Sequence, residues 1–172
     1  RDRKTEEFSQ HIRSLKIVPV AISYELDPCD ALKAAELWER DAQGSYEKGE
    51  QEDVASIGQG ISGNKGRVHV SFGVPLESGL DSPDAVARQV DEQVISLYCL
   101  HPTNLYAYQM LHGEDALGSQ DVCFEDGDCS RGEFEERINS MPEAHRPFAL
   151  GIYANAISSK LALAQSSDNL AS

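Results

Sequence analysis

Apolar residues run almost without interruption through Lys16-Ile17-Val18-Pro19-Val20-Ala21-Ile22-Ser23-Tyr24-Glu25. This β-branched run predicts a strand buried on both faces, the pattern of a parallel strand in a helix-covered sheet; a half-exposed strand would alternate apolar and polar residues. Asp27 and Pro28 follow where a helix N-cap and first helical residue belong, with Asp30 available to the amides of the first turn. The helix after them, residues 28–42, places Leu32, Ala35 and Trp38 on one side. Upstream, Phe8, Ile12 and Leu15 recur at helical spacing, so residues 5–15 read as a short helix that Thr5 can cap. Helix, strand, helix is the repeat of an α/β sheet.

Downstream, Gly44 and Gly49 mark a polar loop. A short helix follows over residues 53–59, with Val54 and Ile57 apolar, until Gly60, Gly63 and Gly66 break it. Residues 67–73 alternate with period two, which assigns Val68, Val70 and Phe72 to the core and Arg67, His69 and Ser71 to the outside of a second strand nearer a sheet edge. Ser82 and Pro83 open the longest helix, residues 83–97, with Val86, Val90, Val94 and Leu97 as its buried stripe. Pro102 and Asn104 interrupt an aromatic connection before a short helix through Leu111. Residues 113–128 are acidic and glycine-bearing, a surface loop by composition. Ser130 and Glu133 form a capping box ahead of Phe134 and Ile138, Pro142 ends that helix, and residues 148–164 read as a terminal helix with a frayed tail beyond. The expectation is an α/β fold: a mostly parallel sheet covered by helices over residues 1–112, then an acidic loop and helical extension over 113–172. If the first strand is internal, something must pair both its edges. The 67–73 strand supplies one neighbour, so further polypeptide before Arg1, or a dimer, is expected at the other.

Charge narrows the partners. With 29 acidic against 15 basic residues the formal charge is −14, which disfavours nucleic acid, since phosphates are bound by clustered Lys and Arg. No apolar stretch approaches the roughly 20 residues of a membrane helix, so membrane contact would be peripheral. Cys29, Cys99, Cys123 and Cys129 come without a secretory signal in a chain large for a disulfide scaffold, which suggests free thiols in a cytoplasmic setting. The chain opens on Arg1-Asp2-Arg3-Lys4 without Met, as a fragment would.

No complete catalytic set emerges from the side chains. The five histidines (His11, His69, His101, His112 and His145) lack acidic or thiol partners at metal or nucleophile spacing. Cys123 and Cys129 match no zinc pattern. Laid on a calcium-loop template with Gly127 sixth, the acidic loop puts Val122 and Phe124 at ligand positions. Lys65 is followed by Gly66 rather than Ser or Thr, which excludes a P-loop. No metal and no cofactor is expected.

Residues Ile17-Val18-Pro19-Val20, followed by Gly73-Val74-Pro75 at the end of the second strand, resemble the glycerol-phosphate and lysophosphatidate acyltransferases. There a Val-Pro-Val strand is the last sequence block and a strand ending in Gly-x-Pro follows it. Asp91-Glu92-Gln93-Val94-Ile95-Ser96-Leu97-Tyr98 and His101-Pro102-Thr103-Asn104-Leu105-Tyr106-Ala107-Tyr108 resemble the tail of a bacterial branch, so the likeness spans about residues 16–112. It implies an acyltransferase of phospholipid synthesis that moves a fatty acyl group from acyl-CoA or acyl carrier protein to glycerol 3-phosphate or lysophosphatidate, in the cytoplasm or at the cytoplasmic face of the inner membrane. It also implies that Ile17, Val18, Pro19 and Val20 form part of the substrate-site floor. The family's His and Asp, four residues apart, and its Arg-bearing Pro-Glu-Gly turn lie upstream of the Val-Pro-Val block and are absent here. No catalytic residue carries over, and this chain alone is expected to be inactive. The reading that needs no resemblance is a non-catalytic acidic α/β interaction module.

Overall fold

The computed structural model describes residues 8–45, 52–118 and 122–170. The elements run α1 (Phe8–Leu15), β1 (Val20–Tyr24), α2 (Asp30–Gln43), α3 (Glu52–Ser62), β2 (Val68–Phe72), α4 (Pro83–Leu97), α5 (Pro102–His112), α6 (Arg131–Asn139), a 3-10 turn (Glu143–His145) and α7 (Arg146–Leu170). The fold is mixed α/β and dominated by helix. Among the described residues the sheet is β1 paired with β2, and the pairing is antiparallel, not the mostly parallel sheet the apolar run predicts.

The burial of β1 explains the correction. Its residues alternate exposed and buried: Ala21 and Ser23 are buried, while Val20 is 39% and Ile22 49% exposed. The outward side chains are as apolar as the inward ones, so composition along the strand cannot show that one face is uncovered. On the second strand Arg67 and His69 face outward as expected, but the apolar positions do too. Val68, Val70 and Phe72 are exposed rather than in the core, and Ser71 is half-buried.

Helix boundaries follow local chemistry. Ser82 Oγ accepts the Ala85 amide at 3.2 Å with Pro83 at the first helical position, so α4 spans its predicted range, and Val86, Val90, Val94 and Leu97 are half-buried. At α6, Ser130 Oγ accepts the Glu133 amide and Glu133 Oε2 accepts the Ser130 amide at 2.8 Å, the predicted capping box. Gly44 ends α2 at φ +76°. Three helices differ from the sequence reading. The Asp27 carboxylate takes the Cys29 amide at 2.8 Å in a turn, and α2 starts only at Asp30. Gly60 lies inside α3, which continues to Ser62 because one interior glycine costs only about 1 kcal/mol. The last helix is longer than residues 148–164 at both ends. Thr5 lies outside the described residues.

The chain divides into two compact units. One is built from residues up to Ser23, His69–Tyr98 and those from Ser159 onward; the other from Tyr24–Val68 and Cys99–Ser158. The second has a helical core in which Phe134 meets Tyr153 edge-on, ring centroids 5.0 Å apart, with Ala34, Ala107, Ile138 and Leu150 around them. No described helix is long and apolar enough to cross a membrane.

Candidate functional site

The first unit contains the segment singled out by sequence. The Gly73 amide donates to Pro19 O at 2.8 Å, and the Leu76 amide to Ile17 O at 2.9 Å. The Val-Pro-Val and Gly-x-Pro segments are thus hydrogen-bonded neighbours. That register sets Val18 opposite Val74, Val20 opposite Phe72 and Ile22 opposite Val70, all on one face of the antiparallel ribbon. All six side chains are exposed, Phe72 to 71% and Val74 to 68%. An exposed apolar face of this kind is a candidate binding surface.

Of the four expected floor residues, Val18 and Val20 reach this open face. Pro19 is buried and Ile17 half-buried, so those two contribute backbone and packing. A cavity of about 610 Å³ opens beside Phe72, Gly73 and Val74, walled by α4 through Gln93 and Leu97 and by α7 through Leu163. Gln93 fixes that wall: its Oε1 accepts the Val74 amide at 2.8 Å, and a Cβ on Gly73 would collide with the same oxygen. The cavity lies within the roughly 300–1,000 Å³ typical of small-molecule sites. Among the described residues that line it there is no histidine or cysteine, and its apolar side chains suit an apolar group.

The second unit is organised by a residue the sequence reading left inside the strand. Glu25 is fully buried, and its Oε2 and Oε1 accept the amides of Arg67 at 2.9 Å and Cys129 at 2.7 Å. Gly66, at φ +57°, and Gly127 pack against the carboxylate; a Cβ on either would lie 2.5 or 2.6 Å from its oxygens. Thr103 Oγ1 donates to Glu25 O at 2.5 Å. The Glu25 carboxylate therefore joins the turn before β2 to the acidic loop. That loop is further anchored by the Glu125 amide on Leu100 O and by Arg67 with Asp128 at 2.9 Å. Residues 119–121 of the loop are outside the described residues.

Beside Glu25 lies a cavity of about 440 Å³ lined by Asp128, Cys129, Glu133 and Arg137 among others. Burial, then the charges of Glu25 and Glu133, push the Cys129 thiol above its ordinary pKa, so it is a poor nucleophile. Glu133 is engaged in capping α6, and Arg137 is engaged with Asp30. These groups are structural. A polar residue closing an apolar strand was the only sequence signal for Glu25, and its partners are 42 and 104 positions away.

The histidines stay apart from these two cavities. His69 is exposed, with Nε2 2.9 Å from Ser71 Oγ, and His145 packs on Trp38 at 5.1 Å between centroids. His101 is buried as the N-cap residue of α5, where its amide donates to Asn104 Oδ1 at 2.7 Å. Compared with protein families, with characterised proteins and with solved structures, the chain matches none.

Proposed function

We propose that this chain is the C-terminal portion of a glycerolipid acyltransferase. The whole protein would move a fatty acyl group from acyl-CoA or acyl carrier protein to the hydroxyl of glycerol 3-phosphate or lysophosphatidate. One observation carries the reading: the two segments that bear the resemblance lie side by side through the Gly73–Pro19 hydrogen bond and turn Val18 and Val20 onto an open apolar surface beside a cavity. A fatty acyl chain needs such a surface, and burial against it would gain about 0.8 kcal/mol per methylene.

On this reading the chemistry belongs to a His and an Asp upstream of the Val-Pro-Val block. The His draws the proton from the acceptor hydroxyl as its oxygen attacks the thioester carbonyl; the tetrahedral intermediate then collapses with cleavage of the C–S bond, and the proton passes to the departing thiolate to release the free thiol. The residues described here exclude water from the acyl chain and orient it. The site of action is the cytoplasmic face of a membrane, where both the acyl donor and the lysophosphatidate acceptor are accessible. Reading the complete gene upstream of Arg1 tests this: a His-x4-Asp block and an Arg-bearing Pro-Glu-Gly turn are expected.

A second reading, a non-catalytic interaction module, is favoured by the same open face together with the edge of β1 that no strand among the described residues pairs, since unpaired edges recruit partner strands. A complete gene product that lacks the His-x4-Asp block decides for it.

A further inference from the structure

One peptide bond of the acidic loop is set up for spontaneous covalent change. In Asp126-Gly127 stands the only aspartate or asparagine of the chain that precedes a glycine. Both residues are exposed, and neither the Gly127 amide nor the Asp126 carboxylate has a hydrogen-bond partner among the described residues. The bonds that hold the segment lie to either side: the Glu125 amide donates to Leu100 O at 2.9 Å, and the Cys129 amide to Glu25 Oε1 at 2.7 Å. Glycine is required between them, because a Cβ at position 127 would stand 2.6 Å from Glu25 Oε1 and 2.8 Å from Pro102. The close approach to Glu25 thus demands the one residue that leaves the peptide nitrogen after Asp126 unshielded and its backbone free to rotate.

We propose that Asp126 converts to isoaspartate in the folded chain and that the conversion unlatches the acidic loop from Glu25. The Gly127 nitrogen attacks Cγ of the Asp126 carboxylic acid, the C–OH bond breaks, and the hydroxyl leaves as water with the amide proton, closing a five-membered imide. Water then adds to the imide. Attack at Cγ restores aspartate; attack at the main-chain carbonyl cleaves its bond to nitrogen, frees an α-carboxylate and routes the backbone through the Asp126 side chain. The isoaspartyl backbone is longer by one carbon, about 1.5 Å. Gly127 has no room to absorb that length against Glu25 and Pro102, so the Cys129 amide leaves the Glu25 carboxylate. The freed α-carboxylate is the group that an isoaspartate-specific carboxyl methyltransferase takes as its substrate. Neither step depends on acyl transfer.

The test is to age the 172-residue chain for several weeks in warm neutral buffer and to locate isoaspartate by electron-transfer mass spectrometry of its peptides, with labelled methyl uptake from an isoaspartate-specific methyltransferase as a second readout. Isoaspartate at position 126 should accumulate at least tenfold faster than at any other aspartate. In the isoaspartyl fraction, separated by ion exchange, hydrogen exchange of the Cys129 amide should be at least tenfold faster than in the unaged chain. Asp126→Glu, whose longer side chain would have to close a six-membered imide, should lose methyl uptake at this position and keep Cys129 protected through the same ageing. No excess at Asp126 over the other aspartates, or a rate in the folded chain below one-hundredth of that in a synthetic peptide of residues 122–131, overturns the site. Isoaspartate at 126 with unchanged exchange at Cys129 overturns the unlatching.

Discussion

Arg137 grips Asp30 with both arms of its guanidinium, Nε to Oδ2 at 2.7 Å and Nη2 to Oδ1 at 2.9 Å, across 107 positions of sequence. Asp30 is buried, and Tyr153 Oη donates to the same Oδ2 at 2.6 Å while accepting the Asp27 amide at 3.0 Å. Burial, and then the neighbouring Asp30 charge, drive the Tyr153 phenol far above its ordinary pKa, so it stays a donor at any working pH. Arg137→Met leaves a buried carboxylate without its cation and should cost about 3 kcal/mol. Tyr153→Phe should cost roughly 1–3 kcal/mol. Urea unfolding followed by circular dichroism measures both, and losses below 0.5 kcal/mol would mean that the network is ornamental, since that is about the scale of an ordinary surface change.

Glu25 makes a sharper case, because each carboxylate oxygen receives one amide. In Glu25→Gln one of those amides faces an NH₂ group that cannot accept, with a loss of about 1–3 kcal/mol. Gly127→Ala should destabilise as well, since its Cβ would meet Glu25 Oε1 at 2.6 Å and Pro102 at 2.8 Å. Hydrogen exchange of the Cys129 amide should accelerate in both variants; unchanged protection there would show that the loop is held by something else.

Acid should weaken the start of α6. Glu133 has its pKa held below the ordinary 4.5 by the Ser130 hydroxyl and then the Ser130 amide. Its folded value is thus lower than its unfolded one, so its stabilisation is complete above the unfolded value and lost as pH falls through the folded value. Asp128, depressed below 3.8 by its hydrogen bond to Arg67, follows the same sign. Thermal melts of the parent and Glu133→Gln should differ at neutral pH, and the gap should shrink as pH falls below the ordinary 4.5; a gap that stays constant as the carboxylates are titrated would contradict the cap.

How far the sequence alone reached can be judged at particular residues. At Ser82-Pro83 and at Ser130 with Glu133 the local chemistry made the helix start legible, whereas at Asp27-Pro28 the same kind of signal marks a turn and α2 starts at Asp30. Residues 17–24 were legible as a strand but not as a half-covered one, because Val20 and Ile22 face outward while being as apolar as a core demands. In residues 67–73 the outward placement of Arg67 and His69 was legible, whereas Val68, Val70 and Phe72 belong to an open apolar face rather than to the core. Glu25, Asp30 and Arg137 were invisible as a framework, since their partners are brought together only by the fold. The pairing of the 67–73 strand with the first strand, by contrast, was expected from the need to satisfy the first strand's edge, though not its antiparallel sense.

The uncovered face has a consequence in solution. Val18, Val20, Ile22, Val70, Phe72 and Val74 should bind a hydrophobic dye and promote self-association of the 172-residue chain. Ile22→Lys together with Phe72→Lys should abolish both while leaving helix content intact. Sedimentation velocity that finds the unaltered chain monomeric and dye-negative at high concentration would mean that the face is covered.

Acyl transfer tests the central claim most directly. The complete gene product and residues 1–172 should be assayed side by side with palmitoyl-CoA or palmitoyl acyl carrier protein as donor and glycerol 3-phosphate or lysophosphatidate as acceptor. The predicted result is turnover by the complete product, reduced at least tenfold in kcat/KM by Val20→Asp, and none by residues 1–172. No transfer by the complete product to either acceptor from either donor, or appreciable turnover by residues 1–172 alone, would contradict it.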